Sequence, residues 1–224
     1  MTTNLHRAVL FDWDGTLADT RQVVVTTFQK VIRKEVGYEV NREFIERRIG
    51  TGAAQTFKEI LQKAEKPVTD ESIKRLLAKK IETEISLSDQ VKLFPGAIEL
   101  LEALEGEVRL ALASMNNRAV IEDLLDKMKI RNCFNVILAV EEVEKFKPDP
   151  EIFLKCATRM RSKPEECVVF EDSIFGVQAA RNAGMDCIAV LTGVYSRKEL
   201  EIAKPILIVK SLTEIDQILK RVLT

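Results

Sequence analysis

Cysteine is scarce in this chain. Cys133, Cys156, Cys167 and Cys187 are widely spaced and form no Cys-x-x-Cys pair, which excludes a cysteine-paired zinc site and a dithiol redox motif. They read as reduced, largely structural thiols. A surplus of charge is also missing: 34 Lys and Arg stand against 35 Asp and Glu, a formal net charge of -1. That balance excludes a nucleic-acid binder or a basic membrane-surface protein and leaves room for a small, local anionic substrate. No apolar run reaches the roughly 20 residues of a membrane span, and none precedes Arg7, so neither a span nor a signal peptide is expected. The expectation is a soluble cytoplasmic protein. Glycine numbers only 9 beside a charged content of 31%, rich in Glu and Lys, a composition that suits a thermophile. There is no internal repeat and no low-complexity tract.

What the chain does have is 46% hydrophobic residues over 224 positions, enough for a sizeable core in one large domain or two unequal ones. Short apolar runs rich in Val, Ile and Leu cover Ala8 to Phe11, Arg109 to Ala113, Val136 to Val140, Cys167 to Phe170 and Cys187 to Leu191, with another at Ile206 to Val209. Continuous apolar runs of this length suit strands buried on both faces of a parallel sheet. Helical patterns lie between them, at Ala97 to Leu104, Ala119 to Met128, Glu151 to Met160 and Phe175 to Ala183. This β-α alternation predicts an α/β fold with a doubly wound parallel sheet. Gly184 is placed as a helix C′ residue, and Pro150 as a first helical position after Asp149 as N-cap.

From Ala18 to Lys92 the alternation stops. Only amphipathic helical segments occur there, at Arg21 to Val36, Arg42 to Arg48, Ala53 to Ala64 and Asp70 to Ser86. They predict a helical insertion after the first strand, above the carboxyl ends of the strands, where α/β sheets bind ligands.

Polar residues follow each apolar run. Asp12 and Asp14 close the first and are separated by one residue, so they could share a cation and divide nucleophilic and acid/base roles. The same Asp-x-Asp-Gly pattern also occurs in ordinary turns and Ca²⁺ loops. Ser114 closes the second run, where a hydroxyl with backbone N–H groups behind it suits a phosphoryl oxygen and equally suits a plain helix cap. Lys147, in Lys147-Pro148-Asp149-Pro150, could neutralise a carboxylate nucleophile and a transferring phosphoryl group, or simply be a solvated loop lysine. Glu171 and Asp172 end the fourth run, where buried acids require caps, cations or a metal. Asp172 is the better metal-ligand candidate, with Glu171 auxiliary. Separate caps would not need to fall at successive strand ends; a doubly wound sheet brings these positions into one pocket.

In order and spacing, Asp12-x-Asp14-Gly15-Thr16, Ser114, Lys147 in Lys-Pro-x-Pro, and Glu171-Asp172-Ser173 resemble the four motifs of the haloacid dehalogenase (HAD) superfamily. The run from Gly176 to Gly184 is similar to the helix that follows the fourth motif. The resemblance spans nearly the whole chain and falls in the phosphoglycolate phosphatase and β-phosphoglucomutase-like branch. It implies a Rossmann-like HAD core of residues 1–17 and 93–224 and an α-helical cap of residues 18–92. It also implies a Mg²⁺-dependent phosphatase of small phosphorylated metabolites, phosphoglycolate or sugar phosphates. Asp12 would become an aspartyl-phosphate, and Asp14 would protonate the leaving group and then activate water. Mg²⁺ would be held by Asp12, Asp172 and the Asp14 backbone carbonyl, with Glu171 nearby. Phosphate and substrate would be bound by Thr16, Ser114, Met115, Asn116 and Lys147. From the cap, Arg48, Gly50 and Thr51 in Arg47-Arg48-Ile49-Gly50-Thr51-Gly52-Ala53 would contact the leaving group, although a plain interhelical turn is equally open.

Several alternatives are separable. A dehalogenase works without the second aspartate, which is present here as Asp14. The β-phosphoglucomutase branch uses a cap-hinge histidine where this chain has Val24; the only histidine is His6. A phosphonatase wants a cap lysine at the Gly50 to Gly52 turn, and the nearest is Lys58. In phospho-aspartate receivers the phosphorylated Asp and the acidic pair lie on different strands, and a noncatalytic sugar-phosphate binder would have no need of every catalytic position. None of these motifs encodes an oligomeric state.

Overall fold

The computed structural model describes residues 6–223; the segment ahead of His6, expected to carry no leader, lies outside them. Strand β1 (Ala8–Phe11) is apolar throughout and fully buried. It becomes the centre of a parallel sheet because both of its faces need cover. Side chains alternate across a strand, so Val9 and Phe11 enter one hydrophobic cluster and Ala8 and Leu10 another. Each large side chain buried this way is worth roughly 1.5–3 kcal/mol.

The remaining core strands are β4 (Arg109–Ala113), β5 (Val136–Leu138), β6 (Cys167–Glu171), β7 (Asp186–Val190) and β8 (Leu207–Val209). With β1 they form a six-stranded sheet in the order β5-β4-β1-β6-β7-β8, every neighbouring pair parallel. On the Val9/Phe11 face lie α5 (Ala97–Leu104), α6 (Arg118–Met128) and α10 (Ile215–Leu223); on the other lie α7 (Glu151–Arg159), α8 (Ile174–Asn182) and α9 (Arg197–Ala203). Phe11 stacks on Phe170 at 4.8 Å between ring centroids, tying β1 to β6.

Register decides where the functional residues emerge. Phe11 is level with Leu112 of β4 and with Phe170 of β6. Asp12, Ser114, Glu171 and Asp172 therefore leave the sheet along one edge, at the point where the chain reverses its order of strand addition around β1.

Between β1 and α5 the chain forms α1 (Arg21–Val36), α2 (Arg42–Glu46), α3 (Ala53–Lys63) and α4 (Asp70–Leu87). Their apolar faces make a third cluster built around Phe28, Ile32, Phe57, Ile60 and Leu76. Thr69 caps α4 reciprocally with Ser72, and Asn41 caps α2. The helices dock on the sheet side through Arg47, 3.1 Å from Glu199 of α9, and through Tyr195, whose hydroxyl donates to the Arg47 carbonyl at 2.9 Å. No helix among the described residues is long and apolar enough to cross a membrane.

Differences from the sequence reading are local. The stretch from Ala18 to Lys92, expected without strands, begins with β2 (Ala18–Asp19) and leads into β3 (Lys92–Leu93), a two-residue antiparallel ribbon. Two backbone pairings between segments that leave and re-enter the core give no hydrophobic periodicity to read. The run Val136 to Val140 stops being a strand at Leu138, because the Glu142 side chain accepts from the Ala139 N–H at 2.8 Å and curls residues Val140–Glu142 into a 3-10 turn. Helix α2 ends at Glu46, leaving Arg47 and Arg48 in the following turn. Pro150 takes the N-cap position instead of the first helical one, while Asp149 still accepts from the Glu151 N–H at 3.1 Å. Gly184 follows α8 with φ at +73°, as a helix C′ residue needs.

Candidate active site

Asp12 follows β1 and is buried among charges. Lys147 donates to Asp12 Oδ1 at 2.6 Å, to Glu171 Oε1 at 2.6 Å and to the Ala113 carbonyl at 3.3 Å. The lysine is fully enclosed, so it is not the solvated loop residue that its neighbourhood in sequence allowed. Burial opposes its charge, but the adjoining Asp12 and Glu171 carboxylates outweigh that and raise its pKa.

Carboxylate oxygens of Asp12, Glu171 and Asp172 all lie within 4.8 Å of one another, the one group among the described residues that could hold a metal ion. Burial pushes Asp12 up to about 8, against the pull of Lys147, and also raises Asp172, with Glu171 and Asp12 adding repulsion. Three buried acids against one ammonium are short of positive charge, which is the deficit a divalent cation relieves; an all-oxygen donor set suits Mg²⁺. Asp172 also lies in a cradle. A Cβ at Gly15, whose φ is +86°, would stand 2.3 Å from Asp172 Oδ2, and one at Gly193 would stand 1.9 Å from it.

Glu171 is differently employed. Its Oε2 accepts from the Asp172 and Ser173 backbone N–H groups, both at 3.1 Å, and from the Ser173 hydroxyl at 2.9 Å. Together with Lys147 this accounts for both oxygens, so the residue fits an anchor for Lys147 better than a direct metal ligand. Ser173 in turn caps α8 through the Gly176 N–H at 3.0 Å. Thr16 donates toward Asp172 Oδ1 at 3.5 Å.

Asp14 accepts from the Thr20 hydroxyl at 2.7 Å, and burial, reinforced by the nearby Glu84 charge, raises it to about 6. Ser114 is buried at the end of β4, three positions ahead of the α6 N-cap Asn117, and its Oγ accepts from the Asn116 N–H at 3.0 Å. It shapes the loop and does not cap the helix.

Asp14, Arg48, Gly50, Met115 and Asn116 line a common pocket, together with Val24, Phe28, Ile45 and Lys80. Thr51 is not in that lining; its hydroxyl donates to the Arg48 carbonyl at 2.8 Å and closes its own turn. His6 is remote from the site, bridging the Val222 carbonyl and the Asp186 carboxylate. Residues that sequence reasoning passed over are Thr20, Lys80 and Glu84. Lys80 and Glu84 had a signal: with Ile73 and Leu76 they continue one helical stripe of α4, and all four are buried.

A carboxylate-rich pocket on the carboxyl edge of a doubly wound parallel sheet defines the chain as an α/β enzyme of the Rossmann-like kind. The sequence profile of the haloacid dehalogenase-like hydrolases matches residues 9–190. The fructose-1-phosphate phosphatase YqaB of Escherichia coli is 33% identical over 186 residues, 83% of this chain and 96% of that protein. A phosphorylated carbohydrates phosphatase of Thermotoga maritima is 31% identical over 218 residues, 96% of this chain and 99% of the other. The crystal structure of a hydrolase from Pseudomonas syringae superposes with a TM-score of 0.88 at 28% identity, covering 97% of this chain and 100% of its own. The chain belongs to the haloacid dehalogenase-like hydrolase family and is a phosphatase of that family.

Proposed function

We propose that the protein is a Mg²⁺-dependent phosphatase of small phosphomonoesters, phosphoglycolate or sugar phosphates, working through an aspartyl-phosphate, the acyl phosphate of Asp12. The observation that carries this reading is the cluster of Asp12, Asp172 and Lys147, with Asp14 and Ser114 emerging beside it. The names of the curated relatives, acting on fructose 1-phosphate and phosphorylated carbohydrates, point the same way.

In this reading Asp12 attacks phosphorus while the bond to the leaving oxygen breaks, and Asp14 delivers its proton to that oxygen. Asp14 then takes a proton from water as the water oxygen attacks phosphorus, the Asp12–phosphorus bond breaks, and phosphate leaves. A carboxyl group raised to about 6 can hold and release a proton near neutral pH. Lys147 keeps Asp12 aimed and balances the charge of the incoming phosphoryl oxygens, aided by Ser114, Thr16 and the backbone of Met115 and Asn116. Asp12, Asp172 and the Asp14 carbonyl would hold Mg²⁺, which supplies further positive charge for those oxygens. Residues 18–92 would act as the cap over a core of 1–17 and 93–224, presenting Arg48 and Gly50 toward the leaving group, with Thr51 holding their turn, and excluding bulk water. Val24, where a mutase's hinge histidine would stand, lines the pocket with an apolar side chain and favours hydrolysis over transfer to a second sugar hydroxyl.

The test is phosphate release from p-nitrophenyl phosphate and from a panel of small phosphomonoesters, with Mg²⁺ and with EDTA, alongside a β-glucose 1-phosphate mutase assay. Release that needs Mg²⁺ and vanishes in folded Asp12→Asn is the expected result. Turnover unchanged in Asp12→Asn would sink the nucleophile assignment.

A further inference from the structure

We infer that the pocket beside Asp14 is charge-balanced by Glu84 and Glu59, and that these two acids direct the enzyme to substrates whose leaving group is an uncharged polyol. The inference rests on the phosphatase reading above and concerns the part of the substrate that departs from the phosphate.

Three charged residues line the pocket: Asp14, Arg48 and Lys80. Neither cation is free. Lys80, only 3% exposed, has its Nζ 2.5 Å from Glu84 Oε2, donates to Asn116 Oδ1, and lies 3.5 Å from Asn117 Oδ1. Two hydrogen bonds to asparagine oxygens and one ion pair to Glu84 thus surround the ammonium. Glu84, 1% exposed, uses its other oxygen to accept from Asn116 Nδ2 at 2.7 Å. Lys80, Glu84 and Asn116 thus form one electrically neutral unit. Arg48, partly exposed, is also ion-paired: its Nε donates to Glu59 Oε2 at 2.6 Å, one NH₂ donates to the Phe44 carbonyl at 3.1 Å, and the guanidinium sits 3.6 Å from the Phe44 ring centroid.

The one acid in the lining without a cation of its own is therefore Asp14, held by the Thr20 hydroxyl. A second carboxylate or phosphate on the substrate would enter the pocket beside that acid, with no unpaired ammonium or guanidinium to meet it. Desolvating an anion without a partner is strongly unfavourable. Hydroxyl groups carry no such penalty and can exchange hydrogen bonds with Asn116, while Val24, Phe28 and Met115 accept the carbon skeleton. Buried ion pairs seldom stabilise a fold more than apolar side chains of the same volume. A functional account of Lys80 and Glu84 is that Glu84 keeps Lys80 as a rigid hydrogen-bonding wall and cancels its attraction for anions. Glu84 and Glu59 are positioning residues here: each acts through the cation it holds.

Of the substrate classes above, sugar and polyol monophosphates fit, whereas phosphoglycolate and bisphosphates each bring a second anion. The deciding measurement is the ratio of kcat/KM for fructose 1-phosphate and glycerol 1-phosphate to that for phosphoglycolate and fructose 1,6-bisphosphate. It is taken in the wild type, Glu84→Gln and Glu59→Gln, with p-nitrophenyl phosphate turnover measured in the same preparations. The wild type should favour the neutral leaving groups by about tenfold or more, and each folded variant should shift the ratio toward the second anion by about tenfold, mainly through KM. A mere packing defect would lower all substrates together. A wild type that prefers phosphoglycolate, or a ratio unmoved in the folded variants, overturns the inference. Glu84 is buried, so if Glu84→Gln does not fold, the half-buried Glu59→Gln decides. Absent p-nitrophenyl phosphate turnover in the wild type would show that the phosphatase reading itself had failed and would take this inference with it.

Discussion

Lys147 Nζ lies 2.6 Å from Asp12 Oδ1, although 135 positions separate the two residues in the chain. The pair is fully enclosed and joined on its far side by Glu171, so one ammonium holds two carboxylates apart from each other's charge. Replacing Lys147 with Ala leaves both acids buried without their cation. The expected result is a loss of about 3–5 kcal/mol of stability, read from chemical denaturation, together with loss of phosphate release. A destabilisation below about 1 kcal/mol would contradict the role given to this ion pair.

Asp14→Asn separates the two halves of the proposed reaction. The nucleophile Asp12 and its lysine are untouched, but no carboxylate remains to activate water. Overall turnover should fall by about 10²–10⁴-fold, and intact mass measured after mixing with a reactive phosphomonoester should show protein carrying one phosphoryl group. Wild-type rates in this variant would remove Asp14 from acid/base work.

Gly176 marks the tightest approach around Glu171: a Cβ there would lie 1.8 Å from Glu171 Oε1. Gly176→Ala must therefore displace the carboxylate that anchors Lys147. It should cost about 1–3 kcal/mol in thermal or chemical unfolding, and weaken phosphate release more than an ordinary helix substitution would. A Gly-to-Ala change of no consequence would mean that Glu171 can rotate away freely.

Thiol accessibility follows from burial. Cys156, Cys167 and Cys187 are buried, and burial raises all three thiols, Cys167 to about 12; Cys133 is partly exposed, although burial raises its thiol too. A thiolate-specific reagent at mildly alkaline pH should modify one cysteine in the native protein and four after denaturation. Rapid native labelling of more than one would show that the sheet opens far more readily than its packing indicates.

Much of this molecule was legible in the chain because the relevant signals are local. Ala8 to Phe11 reads as a buried strand from four apolar residues in a row, and the helix boundaries at Arg21, Val36, Ala97 and Leu104 were anticipated to the residue. Errors fell where a side chain intervened, as when Glu142 curled the end of the Val136 to Val140 run. Ser114 was visible as a polar residue after a strand, but whether it capped α6 or shaped the loop before it depended on one hydrogen bond to Asn116.

The order of elements and the chemistry at their ends are written in the chain. Apolar runs of strand length, followed by Asp12, Ser114, Lys147 and Asp172 in turn, are enough to specify a doubly wound sheet and its family, because hydrophobic period and turn residues act over a few positions. Tertiary structure alone decided which charges neutralise which. Arg48 pairs with Glu59 across a turn, and Lys80 and Glu84 become one unit with Asn116 only when α4 lies over the loop after β4. Those partners are brought together by how the helices pack on the sheet, and electrostatics at distances below 4 Å depends on that placement, which no local pattern encodes.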